Sequence, residues 1–263
     1  MSNYSIVPNA ALTATADAIR TKSGSQATIE FDHNTGFKDA VDAIPSGGGG
    51  EWSTEEIAKG TEPSGSITLS ATVISAGAFF ERPITSIYAP NVTSLSSAKY
   101  AFHGCTLLTK AKFPNVTSLG NNNLYQFQES KVQYVAIPKL TGNLTSNFLQ
   151  ACRSLLVVDA GKTPSIQTRA TASATNFDTL ILRRTNAITA LANVDGIAND
   201  TKFKNGGEGG TIYIPEVLYN HLGDGTSLDY KAATNWSTVN GYGTITWAKL
   251  EGSQYESEDW LQI

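Results

Sequence analysis

The sequence predicts a mainly β chain: a solenoid of short stacked strands, with a small α/β module before it and a short helical cap after it. Three observations predict this. Pro90, Pro114 and Pro138 recur every 24 residues, and the words around the first two nearly repeat, "APNVTSL" at 89–95 and "FPNVTSLG" at 113–120. Pairs of apolar residues two apart precede each such place. Phenylalanines recur between the pairs.

Residues 1–46 read as a unit of their own. "NAALTATADAIRTKSG" places Leu12, Ala16 and Ile19 at helical spacing, with Asn9 as N-cap and Gly24 past the end. The short extended "ATIEF" follows, and then "TGFKDAVDAI" sets Phe37, Ala40, Val41 and Ile44 on one side of a second helix. Two short helices and a strand bury too little to stand alone, so Leu12, Ile19, Phe37 and Val41 are expected to serve assembly with a partner. The glycine run in 47–52 is a flexible tether, because four consecutive glycines define no conformation.

Residues 53–215 carry the repeat. Aligned on the prolines, Ile87, Ala89, Val92 and Leu95 fall over Ala111, Phe113, Val116 and Leu119, and then over Val135, Ile137 and Leu140. Val158 with Ala160, Leu180 with Leu182 and Ile212 with Ile214 continue the series. Each pair marks a short strand with one buried face, ended by a proline or turn residue. Phe80, Phe102, Phe127, Phe148 and Phe177 form the second marker. A unit that cannot bury its apolar face alone, but can stack on copies of itself, is the sequence mark of a solenoid. A β-sandwich with accidental echoes is the rival fold. Residues 216–263 do not repeat: "PEVLYNHL" and "SLDYKAATNW" read as short capping helices, "GTITWAKLEG" as a closing strand and "QYESEDWLQI" as a tail.

Composition narrows the partners. Of 263 residues, 16% are charged and the net charge is −4, which leaves no basic footprint for nucleic acid. The opening "MSNYSIVPNAALTA" has no basic stretch followed by an apolar run, so a secretory signal is not expected. Nothing approaches the roughly 18 consecutive apolar residues of a membrane span. Asn91, Asn115 and Asn143 head Asn-x-Ser/Thr triplets, which read as turn chemistry rather than glycan acceptors.

The unit "AFHGCTLLTKAKFPNVTSLG" resembles the short bacterial leucine-rich repeats of surface adhesins. "ADAIRTKSG…FKDAVDAI…GGGG" resembles the N-terminal module of tail and baseplate proteins from phages of Gram-positive bacteria. "IYIPEVLYNHL…DYKAATNWST" is similar to the cap that follows such repeats in those proteins. The resemblance implies a virion structural protein of receptor-binding type, docked in the tail by residues 1–46 and oligomeric, expected as a homotrimer. Its head would project toward a host-surface glycan or protein. The fourth and fifth copies depart from the pattern, with Gly161 and Arg183 at the proline place.

The sequence carries no recognisable catalytic constellation, so no enzyme, cofactor or metal is expected. Cys105 and Cys152 are two copies apart, about 10 Å between Cα atoms in a stack, too far for a disulfide. His33, His103 and His221 lie in three separate regions. "NGGEGG" lacks the Gly-Lys-Ser/Thr of a phosphate loop. Asp224 and Asp229 miss the spacing of a calcium loop. What remains is a binding surface, with Tyr88, Tyr125 and Tyr134 as candidate contacts, since aromatic rings suit the apolar face of a sugar. A bacterial surface adhesin without a virion role is the alternative, and a depolymerase on the same scaffold the third possibility.

Overall fold

A computed structural model of the chain describes residues 64–167, 169–186, 190–191, 209–232 and 245–263. All of them lie in the second of two units into which the chain divides, Met1–Gly50 and Glu51–Ile263. The assembly residues Leu12, Ile19, Phe37 and Val41 and the glycine tether lie outside the described residues.

The described chain is a stack of parallel strands with little helix. Eight strands form one sheet: β1 (Gly65–Thr68), β2 (Ile84–Tyr88), β3 (Lys110–Lys112), β4 (Tyr134–Ala136), β5 (Val157–Asp159), β7 (Thr179–Ile181), β9 (Thr211–Ile214) and β10 (Thr246–Lys249). A second ribbon pairs β6 (Ser165–Ile166) with β8 (Ala190–Leu191). The register is the one the prolines imply: Ile87 faces Ala111, which faces Val135, Val158, Leu180 and Ile212 in turn. These residues are fully buried, as are Ala89, Phe113, Ile137, Ala160, Leu182 and Ile214 two positions on. The sheet extends one rung further at each end. Ile67 of β1 pairs with Ile87, and Trp247 of the expected closing strand pairs with Ile212.

Between strands the chain turns the same way in five successive described copies. Residues four apart take left-handed φ in five successive copies: Gly77 and Glu81, Tyr100 and Gly104, Tyr125 and Glu129, Asn147 and Ala151, Arg169 and Ser173. In the first four of these copies the turn's amides reach the next copy, as Glu81 N does to His103 O at 2.8 Å.

These turns correct the phenylalanine ladder. Phe79, not Phe80, precedes Phe102 in the column, stacked on it at 5.3 Å, and Phe102 stacks on Phe127 at 4.6 Å. Neighbouring side chains cannot both point inward, and Phe80 is left 42% exposed. Phe148 stands one residue early, edge-on to Phe127 at 5.3 Å, while Leu149 takes the column place two residues after left-handed Asn147. Phe177 belongs to another inward column, two residues before its strand, with Leu108 and Leu155.

At the far end α1 (Glu216–Tyr219) buries Leu218 on the core. Of the second expected capping helix, a 3-10 turn at Tyr230–Ala232 is described, and Asp229 Oδ1 accepts from Lys231 N within it. Tyr230 is fully buried and packs against Trp247 at 5.6 Å.

The expected tail is no tail. Parallel sheets are stable when both faces are covered, and residues 250–261 run back across the outward face of the sheet. Leu250 and Tyr255 pack on Val157 and Ile181 there. No described helix is long and apolar enough to cross a membrane.

Candidate functional site

A solenoid offers a ligand its sheet face or the edges where its turns stack. The sheet face is built from outward columns, among them Tyr88, Lys112, Ala136, Asp159, Ile181 and Tyr213. Most of it is occupied by the chain itself. Arg183 Nε donates to both Asp159 oxygens, at 3.2 and 2.9 Å, and its Nη atoms donate to the carbonyls of Tyr255, Glu256 and Ser257. Trp260 Nε1 donates to Asp159 Oδ2 at 3.1 Å. Further along, Lys112 is 6% exposed. Its Nζ donates to Leu261 O at 2.9 Å and lies 3.1 Å from Asp259. Arg183 thus stands at the proline place for a reason: its guanidinium pins the strap.

The three candidate tyrosines are divided by this arrangement. Tyr134 lies under the strap, 6.5 Å edge-on from Trp260. Tyr88 sits where the strap ends, on a cleft of about 290 Å³ shared with Lys112, Asp259, Gln262 and Ile263. Tyr125 is on neither of these; it belongs to the edge of left-handed turns.

That edge carries an aromatic strip. Tyr125 stacks on Tyr100 at 5.4 Å, Tyr100 meets His103 edge-on at 5.8 Å, and His103 stacks on Phe80 at 4.9 Å. Lys99 Nζ stands 5.3 Å from the Tyr100 ring. Both tyrosines occupy the left-handed place two residues before a column phenylalanine, with φ of 55° and 53°. The backbone therefore aims them outward, one rung apart. His103 Nδ1 is buried and has no hydrogen-bond partner among the described residues. The strip combines ring edges, an ammonium and an imidazole, which suits a polyhydroxylated ligand with an apolar ring face. Tyr100 and His103 were not candidates in the sequence, although "YAF" at 100–102 and "YQF" at 125–127 repeat the same spacing.

The other candidate chemistry is spoken for. Cys105 and Cys152 are unbridged and buried. Each thiol donates to the phenylalanine carbonyl of the preceding copy, Phe79 O and Phe127 O, at 2.9 Å. Asp224 accepts from Thr226 N and pairs with His221. Those contacts, the amide first, hold its carboxyl below the usual range. Asp229 accepts from the amides of Gly225 and Lys231. Among the described residues no three His, Cys, Asp or Glu side chains gather as metal ligands.

Among known families, residues 66–191 match the BspA type leucine rich repeat region, in six copies. The matched span includes the whole aromatic strip and stops before the strap. No curated protein and no solved structure matches the chain.

Proposed function

We propose that this BspA-type repeat domain is the attachment head of a phage tail or baseplate protein, a virion structural component without catalytic activity. Residues 1–46 dock it to other tail proteins and to copies of itself as a homotrimer, through Leu12, Ile19, Phe37 and Val41. The head meets a host-surface glycan or protein. Support for the virion role is the resemblance of "ADAIRTKSG…FKDAVDAI…GGGG" to tail modules.

One observation carries the binding reading. The strap fills most of the sheet face, while the strip Phe80–His103–Tyr100–Tyr125 stays at the surface across consecutive rungs. Ordinary turn residues would be small and polar there. The alternative, a bacterial surface adhesin, uses the same head and differs only in its anchor.

The test separates head from anchor. The double variant Tyr100→Asn/Tyr125→Asn keeps residues tolerant of left-handed φ. It is expected to retain its melting temperature and lose binding to host cells in a sedimentation assay. Undiminished binding would reject the strip. Deleting residues 1–46 is expected to abolish incorporation into particles, and normal incorporation would reject the virion role.

A further inference from the structure

The second edge of the stack, where the strands exit, carries a ladder of its own. After the first two prolines the next residue caps the copy before it: Asn91 Nδ2 donates to Ser70 O at 2.9 Å, and Asn115 Nδ2 to Pro90 O at 2.8 Å. In the next three copies the same place holds Lys139, Lys162 and Arg184. Lys139 Nζ donates to Asn115 Oδ1 at 2.9 Å, and Arg184 Nη1 to Lys162 O at 3.3 Å, so two of the three cations still link to the copy before. Neutral asparagine serves the ladder equally well. The cations therefore need another explanation.

Three features point to an anion. Three positive charges stand in register on successive rungs about 4.8 Å apart, in a chain whose net charge is −4. Among the described residues no carboxylate pairs with any of them and the Lys162 ammonium has no partner, whereas Lys112 and Arg183 on the sheet face each pair with a carboxylate. Lys162 and Arg184 open on a cleft of about 230 Å³ that Thr141, Thr185 and Asn186 also line, so hydroxyl and amide donors surround the two charges. Arg184 is oriented there by Nε, which donates to Asn186 O at 3.2 Å.

We infer that this edge binds a phosphate-bearing polymer, one phosphate seated between Lys162 and Arg184 and its neighbour reaching Lys139. A tetrahedral phosphate offers several acceptors at once to an ammonium, a guanidinium and two hydroxyls. The repeat of the charges along the stack matches a ligand that itself repeats. This site is separate from the aromatic strip and stands or falls without it.

The experiment uses the full chain and two soluble probes, poly(glycerol phosphate) and linear polyphosphate, titrated by calorimetry, with dextran sulfate and neutral dextran as comparators. Binding of poly(glycerol phosphate) is expected to weaken roughly tenfold between 50 and 200 mM salt, as about two to three neutralised phosphates imply. Lys162→Gln/Arg184→Gln is expected to lose about tenfold or more at unchanged melting temperature. Asn115→Lys, which extends the column by one rung, is expected to tighten it. Binding of either phosphate polymer above the dextran sulfate comparator supports the class proposed, and the preference between the two distinguishes its source. No binding, equal binding of dextran sulfate, or indifference to both variants would overturn the site.

Discussion

Arg183 and Asp159 face each other across adjacent rungs at 2.7 Å, both nearly or fully buried on what would otherwise be the open face of the sheet. Neither charge belongs to the inward columns of the repeat. Both have a role in the strap, since Arg183 holds three strap carbonyls and Asp159 holds Trp260. Burial pushes the Asp159 carboxyl above the ordinary carboxylate range, and the guanidinium, the Gly161 amide and the indole pull it back only in part.

Removing one partner strands the other without compensation. Arg183→Met is expected to cost about 3–5 kcal/mol in denaturant unfolding, while Asp159→Leu/Arg183→Met costs much less, because buried pairs replaced by apolar residues are often neutral. Tryptophan fluorescence reports the strap directly: Trp260 should redshift in the single variant. A single variant as stable as the parent would show that the pair does not hold the strap.

The phenylalanine column makes a sharper distinction. Phe102 is sandwiched between Phe79 and Phe127, so Phe102→Ala should cost about 3–5 kcal/mol. Phe80→Ala, at the surface, should stay within about 0.5 kcal/mol. Equal losses at the two positions would mean that the column is misassigned.

Much of this was legible in advance for one reason. Inward columns repeat because burial punishes any break, so Ile87, Ala111 and Val135 announce their register through spacing alone. The turn between strands tolerates a shift of one residue, and the doublet Phe79–Phe80 cannot be decided without the backbone. The strap was illegible for a different reason. Its hydrogen bonds with Arg183, Asp159, Lys112 and Lys110 join residues 72 to 152 positions apart, where no local period operates, and Arg183 showed only as a departure from proline. The aromatic strip was half legible: Tyr125 stood out, while its partner Tyr100 required the knowledge that both hold left-handed φ.

That conformation supplies a further prediction. Glu129 and Ala151 hold φ of 61° and 60° with a Cβ that the left-handed region penalises. Glu129→Gly and Ala151→Gly should each stabilise by roughly 0.5–1 kcal/mol, the relief of strain exceeding the entropy lost with glycine. Gly104→Ala should do the reverse by about 1 kcal/mol, its new Cβ also lying 2.8 Å from Glu81 Cγ, which must swing aside. Destabilisation by both glycine variants would remove the turn pattern as an energetic feature.

The two thiols give a prediction in pH. Burial pushes both Cys105 and Cys152 up to about 12, against an ordinary value near 9. In the folded chain they stay protonated, so iodoacetamide at pH 8 should label neither, and both should react at once in 6 M guanidinium. The linkage has a definite sign. The folded state binds these protons more tightly than the unfolded one, so their contribution is complete below about pH 8. It is lost as pH rises through 9 toward 12, by up to about 1.4 kcal/mol per pH unit for each thiol. Cys105→Ala/Cys152→Ala, measured beside the parent, should lack that part of the alkaline decline while sharing the part due to lysine and tyrosine. Parallel declines, or fast labelling of the native chain, would show that the thiols are not sealed within the stack.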